Sequence, residues 1–319
     1  MKVLVTGGGG YVGRALCRRL LREHDLTVVD NLRFGPGRLD RPDLEGLRLV
    51  ELDLRDADAL AQAVEEIAPE VVIHLAAIHY IPECEQDPEL AFSTNVTGTV
   101  NLLSVCPPGC RFVFISSAAV YQPSSAPHRE TDPTVVQPVD LYGLTKLHGE
   151  GYTRYFAGER KFSAAIVRLF NVVGPGETNP HLVPEIVAQI RAGRRTIELG
   201  NMTPERDFVH VEDVAEGLDA LGTSLDVDPG HAEVFNLGSG KAFSVDTVVK
   251  LIAEVSGEPI TFKVDPARVR AVDRPCLCAD NSKLRAATGW QPARSLRDAL
   301  ADLWADEELP PALVERYAF

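Results

Sequence analysis

Thr6-Gly7-Gly8-Gly9-Gly10-Tyr11-Val12-Gly13 is the stretch from which the fold of this chain is read. It comes directly after the apolar run Val3–Thr6 and opens the helical stretch Val12–Glu23. Four consecutive glycines let two registers match: G-x-G-x-x-G at 8, 10 and 13, and G-x-x-G-x-x-G at 7, 10 and 13. In either one, residues without side chains permit a tight turn. They also let a pyrophosphate reach the backbone N–H groups of a helix N-terminus. A glycine run alone fits a flexible turn just as well. Strand, glycines, helix and second strand in that order make it a dinucleotide fingerprint.

The second strand, Leu26–Asp30, ends in an acid twenty residues beyond Gly10. A carboxylate there accepts hydrogen bonds from the adenosine ribose and repels a 2′-phosphate, so NAD is expected over NADP. Arg33 is the one residue that argues the other way. Tyr11, Val12 and Asn31 flank these positions and are expected in the same site. Asp53-Leu54, after the third strand, is expected to meet the adenine, although an Asp that caps the next helix reads equally well.

Outward from the loop, the first half alternates with a period of about 25 residues. Apolar runs at Val3–Thr6, Leu26–Asp30, Leu47–Leu52, Val71–Ala76, Arg111–Ser116 and Ser163–Leu169 read as strands. Val12–Glu23, Ala57–Ile67, Glu89–Val105 and Leu141–Ala157 read as helices. The strands are continuously apolar, as when helices cover both sheet faces. This predicts right-handed crossovers and a Rossmann-type, doubly wound parallel sheet in an α/β fold. After Asn171 the texture changes: Val172–Pro184 is rich in Gly and Pro, Val183–Ala192 reads as helix and Arg206–Val209 as strand. Ser244-x-x-Thr247 is a weak helix cap, and 264–281 reads as loop. A smaller, interleaved mixed α/β domain is expected. Residues 1–171 with about 207–240 form the cofactor part, and about 172–206 with 241–319 form the other.

Composition bounds the function. Across 319 residues, 45% hydrophobic and 24% charged content is globular. Acids outnumber Lys and Arg by 46 to 32, a net charge of −14. That disfavours nucleic acid and anionic membrane surfaces as partners. No run reaches the ~18 apolar residues of a membrane span, and a strand beginning at Lys2 leaves no room for a signal peptide. A cytoplasmic protein is expected. Six scattered cysteines form no disulfide framework, and Cys276-x-Cys278 has no second pair at zinc spacing, so no metal is expected.

Tyr142 and Lys146 stand at i and i+4 of a predicted helix, on one face. A nearby ammonium together with a cationic nicotinamide favours phenolate and makes Tyr142 a usable general base. Alone, Y-x-x-x-K is as well a packed Tyr with a solvated Lys. The context is Ile115-Ser116-Ser117-Ala118-Ala119-Val120-Tyr121 at a strand end, where a doubly wound sheet faces its ligand. Ser117 there suits a substrate oxygen that gains or loses charge.

With these residues the chain resembles the extended short-chain dehydrogenase/reductases, within the NAD-dependent epimerase/dehydratases of nucleotide sugars, over nearly its whole length. The resemblance implies that Gly7, Gly10 and Gly13 hold the pyrophosphate, Asp30 the ribose and Asp53 the adenine. Leu75-Ala76-Ala77 would line the cofactor, with His79 where a lysine is common, and Asn95 would be the structural asparagine of the next helix. Ser117, Tyr142 and Lys146 match the catalytic triad. Arg168-Leu169-Phe170-Asn171 resembles the segment whose Asn meets the substrate diphosphate. Leu182-Val183 would lie under the nucleotide, Arg206 and Arg270 would bind phosphate, and Leu277 matches a sugar-size gate.

By the same resemblance, Tyr142 would take the sugar 4-OH proton while NAD takes the C4 hydrogen, giving a transient 4-ketose. Dehydratases carry acids directly after the Ser or Thr, and decarboxylases a Glu in that stretch. Ala118 and Ala119 stand there, and methyl groups carry no proton to exchange. C4 epimerisation is therefore expected, with another nucleotide-sugar step, a GDP-sugar modifier or a non-catalytic NAD-binding regulator as alternatives. Members commonly dimerise through the helices matching Glu89–Val105 and Leu141–Ala157, so a homodimer is expected.

Overall fold

The computed structural model describes residues 1–35, 38–135, 140–177, 179–266 and 274–307. The chain runs β1 (Lys2–Thr6), α1 (Tyr11–Leu20), β2 (Asp25–Asp30), β3 (Arg48–Glu51), α2 (Ala57–Ile67) and β4 (Val71–His74). Then come α3 (Ile81–Gln86), α4 (Pro88–Phe92), α5 (Gly98–Val105), β5 (Arg111–Ser117), α6 (Leu141–Arg160) and β6 (Ser163–Leu169). The later elements are β7 (Asn171–Val173), α7 (Leu182–Arg191), β8 (Thr196–Leu199), β9 (Glu205–His210), α8 (Val211–Thr223) and β10 (Ala232–Leu237). The last are β11 (Ala242–Ser244), α9 (Val245–Ser256), β12 (Thr261–Val264), β13 (Cys276–Leu277), α10 (Ser282–Thr288) and α11 (Leu296–Ala305).

Seven strands form one sheet in the order β10-β6-β5-β4-β1-β2-β3. Every pair is parallel. The chain winds outward one way from β1 to β3 and the other way from β4, so the switch point lies between β1 and β4. A crevice opens there at the carboxyl ends of the strands. One face is packed by α1 and α8, with Leu16, Leu20, Val214 and Leu218 buried against Val3, Val5 and Val28. On the other face Leu60, Val64, Leu102 and Leu103 bury Leu4, Val72, Phe112 and Phe114. Because both faces are covered, the strands could be read as unbroken apolar runs.

A second core joins Ile186, Val187 and Ile190 of α7, Val248, Val249 and Ile252 of α9, and Leu300 and Leu303 of α11. Small sheets, β11-β9-β13 with β7 beside β9, and β12 with β8, flank it. Leu284 and Trp290 return to the first core, so the chain crosses between the two parts again after 240.

Differences from the predicted elements are local. β4 stops at His74, and Leu75 and Ala76 leave the sheet to line the crevice. Glu89–Val105 is not one uniform helix: a π-helical turn, Ser93–Thr97, separates α4 from α5. Short strands β12 and β13 interrupt the region around 264–281. All six cysteines are buried and free. Among the described residues no helix is long and apolar enough to cross a membrane.

Candidate active site

The glycine loop turns from β1 into α1 with almost no spare room. Gly7 has φ +75°, and a Cβ there would lie 2.6 Å from the Ala76 nitrogen. At Gly13 a Cβ would lie 2.3 Å from the Gly7 carbonyl oxygen. Gly10 is the N-cap of α1 and supplies no side-chain cap, which leaves the orphan N–H groups of the first turn to a ligand. Gly7, Gly10, Tyr11, Val12 and Gly13 line a continuous cavity of about 1620 Å³. A bare helix terminus, side-chain-free turn and strand-end acid fit the diphosphate and ribose of NAD.

Asp30 accepts from the Gly9 N–H at 2.9 Å and from the Leu32 N–H at 2.8 Å, so it also braces the glycine turn. Arg33, the residue that argued for a 2′-phosphate, is ion-paired with Glu83. Asn31 and Asp53 lie together on the cavity wall, the amide donating to the carboxylate at 3.1 Å. Arg55 beside Asp53 holds its carboxyl well below the usual range. The helix cap is Asp56, which accepts from the Ala59 N–H at 3.1 Å, so Asp53 is not a capping residue. Leu54, Leu75, Ala76, Ala77 and His79 line the same cavity.

Asn95 sits in the π turn, buried, away from the cavity lining. Its amide oxygen accepts from the Ile78 N–H, and its NH₂ donates to the Ile78 carbonyl, both at 2.8 Å, and to Thr145 at 3.1 Å. Its place is therefore behind the site, tying the loop after β4 to α6.

Asp140 caps α6 by accepting from the Gly143 N–H at 2.6 Å, which sets Tyr142 in the first turn and Lys146 one turn on. The Lys146 ammonium donates to the Ile115 carbonyl at 2.8 Å and lies 5.6 Å from the centre of the Tyr142 ring. Ser117 ends β5, hydrogen-bonds the Tyr142 hydroxyl and accepts from the Ala119 N–H at 3.1 Å. The three side chains thus converge as predicted, and both Tyr142 and Lys146 line the cavity. Burial pushes Tyr142 well above its ordinary value, outweighing the lowering by Ser117. Burial also lowers Lys146 to about 8. The protein's own groups do not bring the phenol toward neutrality; further positive charge is needed at its face.

At the other end, Asn171, Leu182, Val183, Arg206 and Leu277 line the cavity. Arg206 donates to its neighbour's carbonyl, Glu205, and to the Arg274 carbonyl, both at 2.9 Å. Arg270 lies outside the described residues. Two features were not read from sequence. Arg274 lines the cavity and donates to the Ala119 carbonyl at 2.6 Å; its only sequence signal is that it is the third Arg in the same loop. Asn179 also lines the cavity and donates to the His79 ring at 2.9 Å. Glu177, buried, stands 3.6 Å from His181.

Behind Ser117 lies a buried polar knot. Glu150 accepts from Arg168 at 2.9 Å and from the Ser116 hydroxyl at 2.7 Å, and the Arg168 guanidinium stacks 4.6 Å over the Tyr121 ring. The Arg of Arg168-Leu169-Phe170-Asn171 therefore supports the strand ends and does not face the ligand.

Residues 3–238 match the family described as "NAD dependent epimerase/dehydratase family". The UDP-glucose 4-epimerase of Corynebacterium glutamicum is 35% identical, over 96% of this chain and 95% of that protein. The Bacillus subtilis UDP-glucose 4-epimerase is 32% identical, over 95% of this chain and 96% of its own length. Among solved structures, the Thermus thermophilus UDP-glucose 4-epimerase complex with NAD superposes with a TM-score of 0.83 at 29% identity. That match covers 96% of this chain and 98% of the other. Glycine cradle, strand-end acid, Ser-Tyr-Lys cluster and these matches agree: the chain belongs to the NAD-dependent epimerase/dehydratase family.

Proposed function

We propose that this protein is an NAD-dependent 4-epimerase of a nucleotide-diphosphate sugar, of the UDP-glucose/UDP-galactose kind. Gly7, Gly10 and Gly13 with the N-terminus of α1 would hold the NAD diphosphate, Asp30 and Asn31 the adenosine ribose, and Asp53 and Leu54 the adenine side. Leu75, Ala76, Ala77 and His79 would bound the nicotinamide end. When bound, NAD supplies a cationic ring that takes up the C4 hydrogen with its electron pair and returns it. Tyr142 removes the proton of the sugar 4-OH and gives it back. Ser117 hydrogen-bonds the same oxygen, and Lys146 holds positive charge one helical turn behind the phenol. Asn171, Arg206 and Arg270 would clamp the sugar-nucleotide diphosphate, as bidentate donors suit phosphate. Leu182 and Val183 lie under the nucleotide, and Leu277 bounds the sugar.

The observation that carries epimerisation over the family's eliminations is the pair of residues directly after Ser117. Ala118 is buried and Ala119 lines the cavity. Neither methyl group protonates a leaving hydroxyl or C5, so the two positions directly after Ser117 supply no acid for elimination, and the ketose takes its hydrogen back on either face. The test is incubation of the NAD-loaded enzyme with a UDP-hexose and no added reductant. The C4 epimer is expected; a product lacking the elements of water would instead identify a dehydratase.

The same reading assigns residues 1–171 with about 207–240 to the cofactor and about 172–206 with 241–319 to the sugar nucleotide, apart from Leu284 and Trp290, which pack into the first core. It places the enzyme in the cytoplasm, in keeping with six free, buried thiols. It also makes the enzyme a homodimer. Exposed aromatic side chains on the helices concerned support this: Phe92 on α4 is 50% exposed and Tyr155 on α6 is 61% exposed.

A further inference from the structure

Three consecutive residues at the end of β5 are each held from α6. The Ser117 side chain meets the Tyr142 hydroxyl. The Ile115 carbonyl accepts from Lys146 at 2.8 Å, and the Ser116 hydroxyl donates to Glu150 at 2.7 Å. Tyr142, Lys146 and Glu150 follow one another at four-residue steps along one side of the helix. Close packing sets the separation of the two elements, since a Cβ at Gly149 would collide with the Phe114 ring of β5. Sliding of the helix along the strand is the freedom that remains, and the three polar contacts oppose it. Glu150 is a firm anchor. Arg168, the register partner of Ser116 on β6, donates to both of its carboxylate oxygens at 2.9 Å. Ser116, Glu150 and Arg168 are all buried. With its hydroxyl bound to Glu150, Ser116 is placed to act on the reaction through its neighbours.

Resting on the epimerase reading for the identity of the base, we propose that Ser116 is a positioning residue. By docking on Glu150 it sets the register of α6 along β5 and so holds the Tyr142 hydroxyl on Ser117. The phenol is then in line before the sugar proton is transferred. A small slip between these two elements would disturb the Tyr142–Ser117 contact and spare the glycine cradle, which is built on β1 and α1.

Ser116→Ala removes this one contact and leaves the Glu150–Arg168 pair in place. Its NAD content and melting temperature are expected to stay near those of the wild type. Its kcat on UDP-glucose is expected to fall about 10-fold with KM unchanged, as a shift well below ~1 Å in a reacting group implies. The Ser117 hydrogen bond lowers the phenol, so loosening it should move the acid limb of the kcat profile to higher pH. Cys84 of α3 and Asp140 at the helix cap also face the phenol and are the same in both proteins. In Ser117→Ala, where that contact no longer exists, adding Ser116→Ala should lower kcat by less than about twofold. A lowered melting temperature with kcat and pH profile unchanged would make Ser116 a purely structural residue and overturn the proposal. So would an equal fall in kcat with and without Ser117. Phenolate absorbance of the NAD-loaded protein, read against its Tyr142→Phe variant, tests the register even where UDP-hexoses do not turn over. A Tyr142 titration moved upward by Ser116→Ala supports the proposal, and an unmoved one overturns it.

Discussion

The Tyr142 phenol stands half-buried on the wall of the cavity. Burial raises it, and the ammonium at 5.6 Å from its ring is itself lowered by burial to about 8. In the proposed reaction a bound cationic ring would add positive charge at the phenol and favour its deprotonation. Tyr142→Phe is expected to lower turnover by at least about 100-fold while NAD stays bound; undiminished turnover would remove Tyr142 as the base. Two histidines carry a different prediction. Burial pushes His74 down to about 3 and His79 to about 4, so the fold holds both neutral. Unfolded, they titrate near ~6.5. Between those values the unfolded chain binds more protons, so their stabilisation is full above about pH 6.5 and drains away as pH falls toward 4. Thermal melts from about pH 7 down to about pH 4.5 should show the midpoint falling, with a shallower fall in His74→Asn. An unchanged slope would take His74 out of the acid response.

At the scale of elements, the loop after β4 is held from behind by one amide. Asn95→Ala would leave the Ile78 N–H and carbonyl without their partner, at a cost of about 1–3 kcal/mol for such buried groups. A lower melting temperature and faster loss of NAD on gel filtration are expected together. At the front, Gly13→Ala would drive a methyl into the Gly7 carbonyl. Protein purified with little or no NAD is expected; a full complement would show that the loop relaxes. These elements also show what the sequence disclosed. The main sheet was legible because its central strands β1, β4 and β5 are buried on both faces and read as apolar runs. Ser117, Tyr142 and Lys146 were legible because helix periodicity and strand ends place them without long-range knowledge. The π turn was not, since one extra residue per turn barely disturbs a 3.6-residue pattern over so short a span. α3, six residues long, is too short for periodicity. Arg274 and Asn179 belong to loops whose approach to the site depends on packing between remote segments.

For the molecule as a whole, acidity and anion binding coexist. The charge of −14 is a property of the surface, while a helix terminus, Arg206 and Arg274 shape the local field of the cavity. Association is the other property of the whole. Tyr155→Glu, which places charge on the exposed face of α6, is expected to convert a dimer to a monomer by light scattering. A wild-type monomer at micromolar concentration would dismiss the proposed helix interface.

One feature of α1 joins the two halves. Its N-terminus opens onto the cavity, and its side chains hold the segment after β7. The Tyr11 hydroxyl donates to the Gly174 carbonyl at 3.1 Å and Arg14 to the Gly176 carbonyl at 2.7 Å. The Gly176 N–H in turn donates to Asp306 at 2.6 Å, beyond α11. Whatever steadies α1 steadies that segment, and the reverse holds by thermodynamic reciprocity. NAD should therefore raise the affinity for the sugar nucleotide by the same factor by which the sugar nucleotide tightens NAD at equilibrium. Shortening the Arg14 side chain should bring that shared factor toward one, making two cooperating sites into two independent ones.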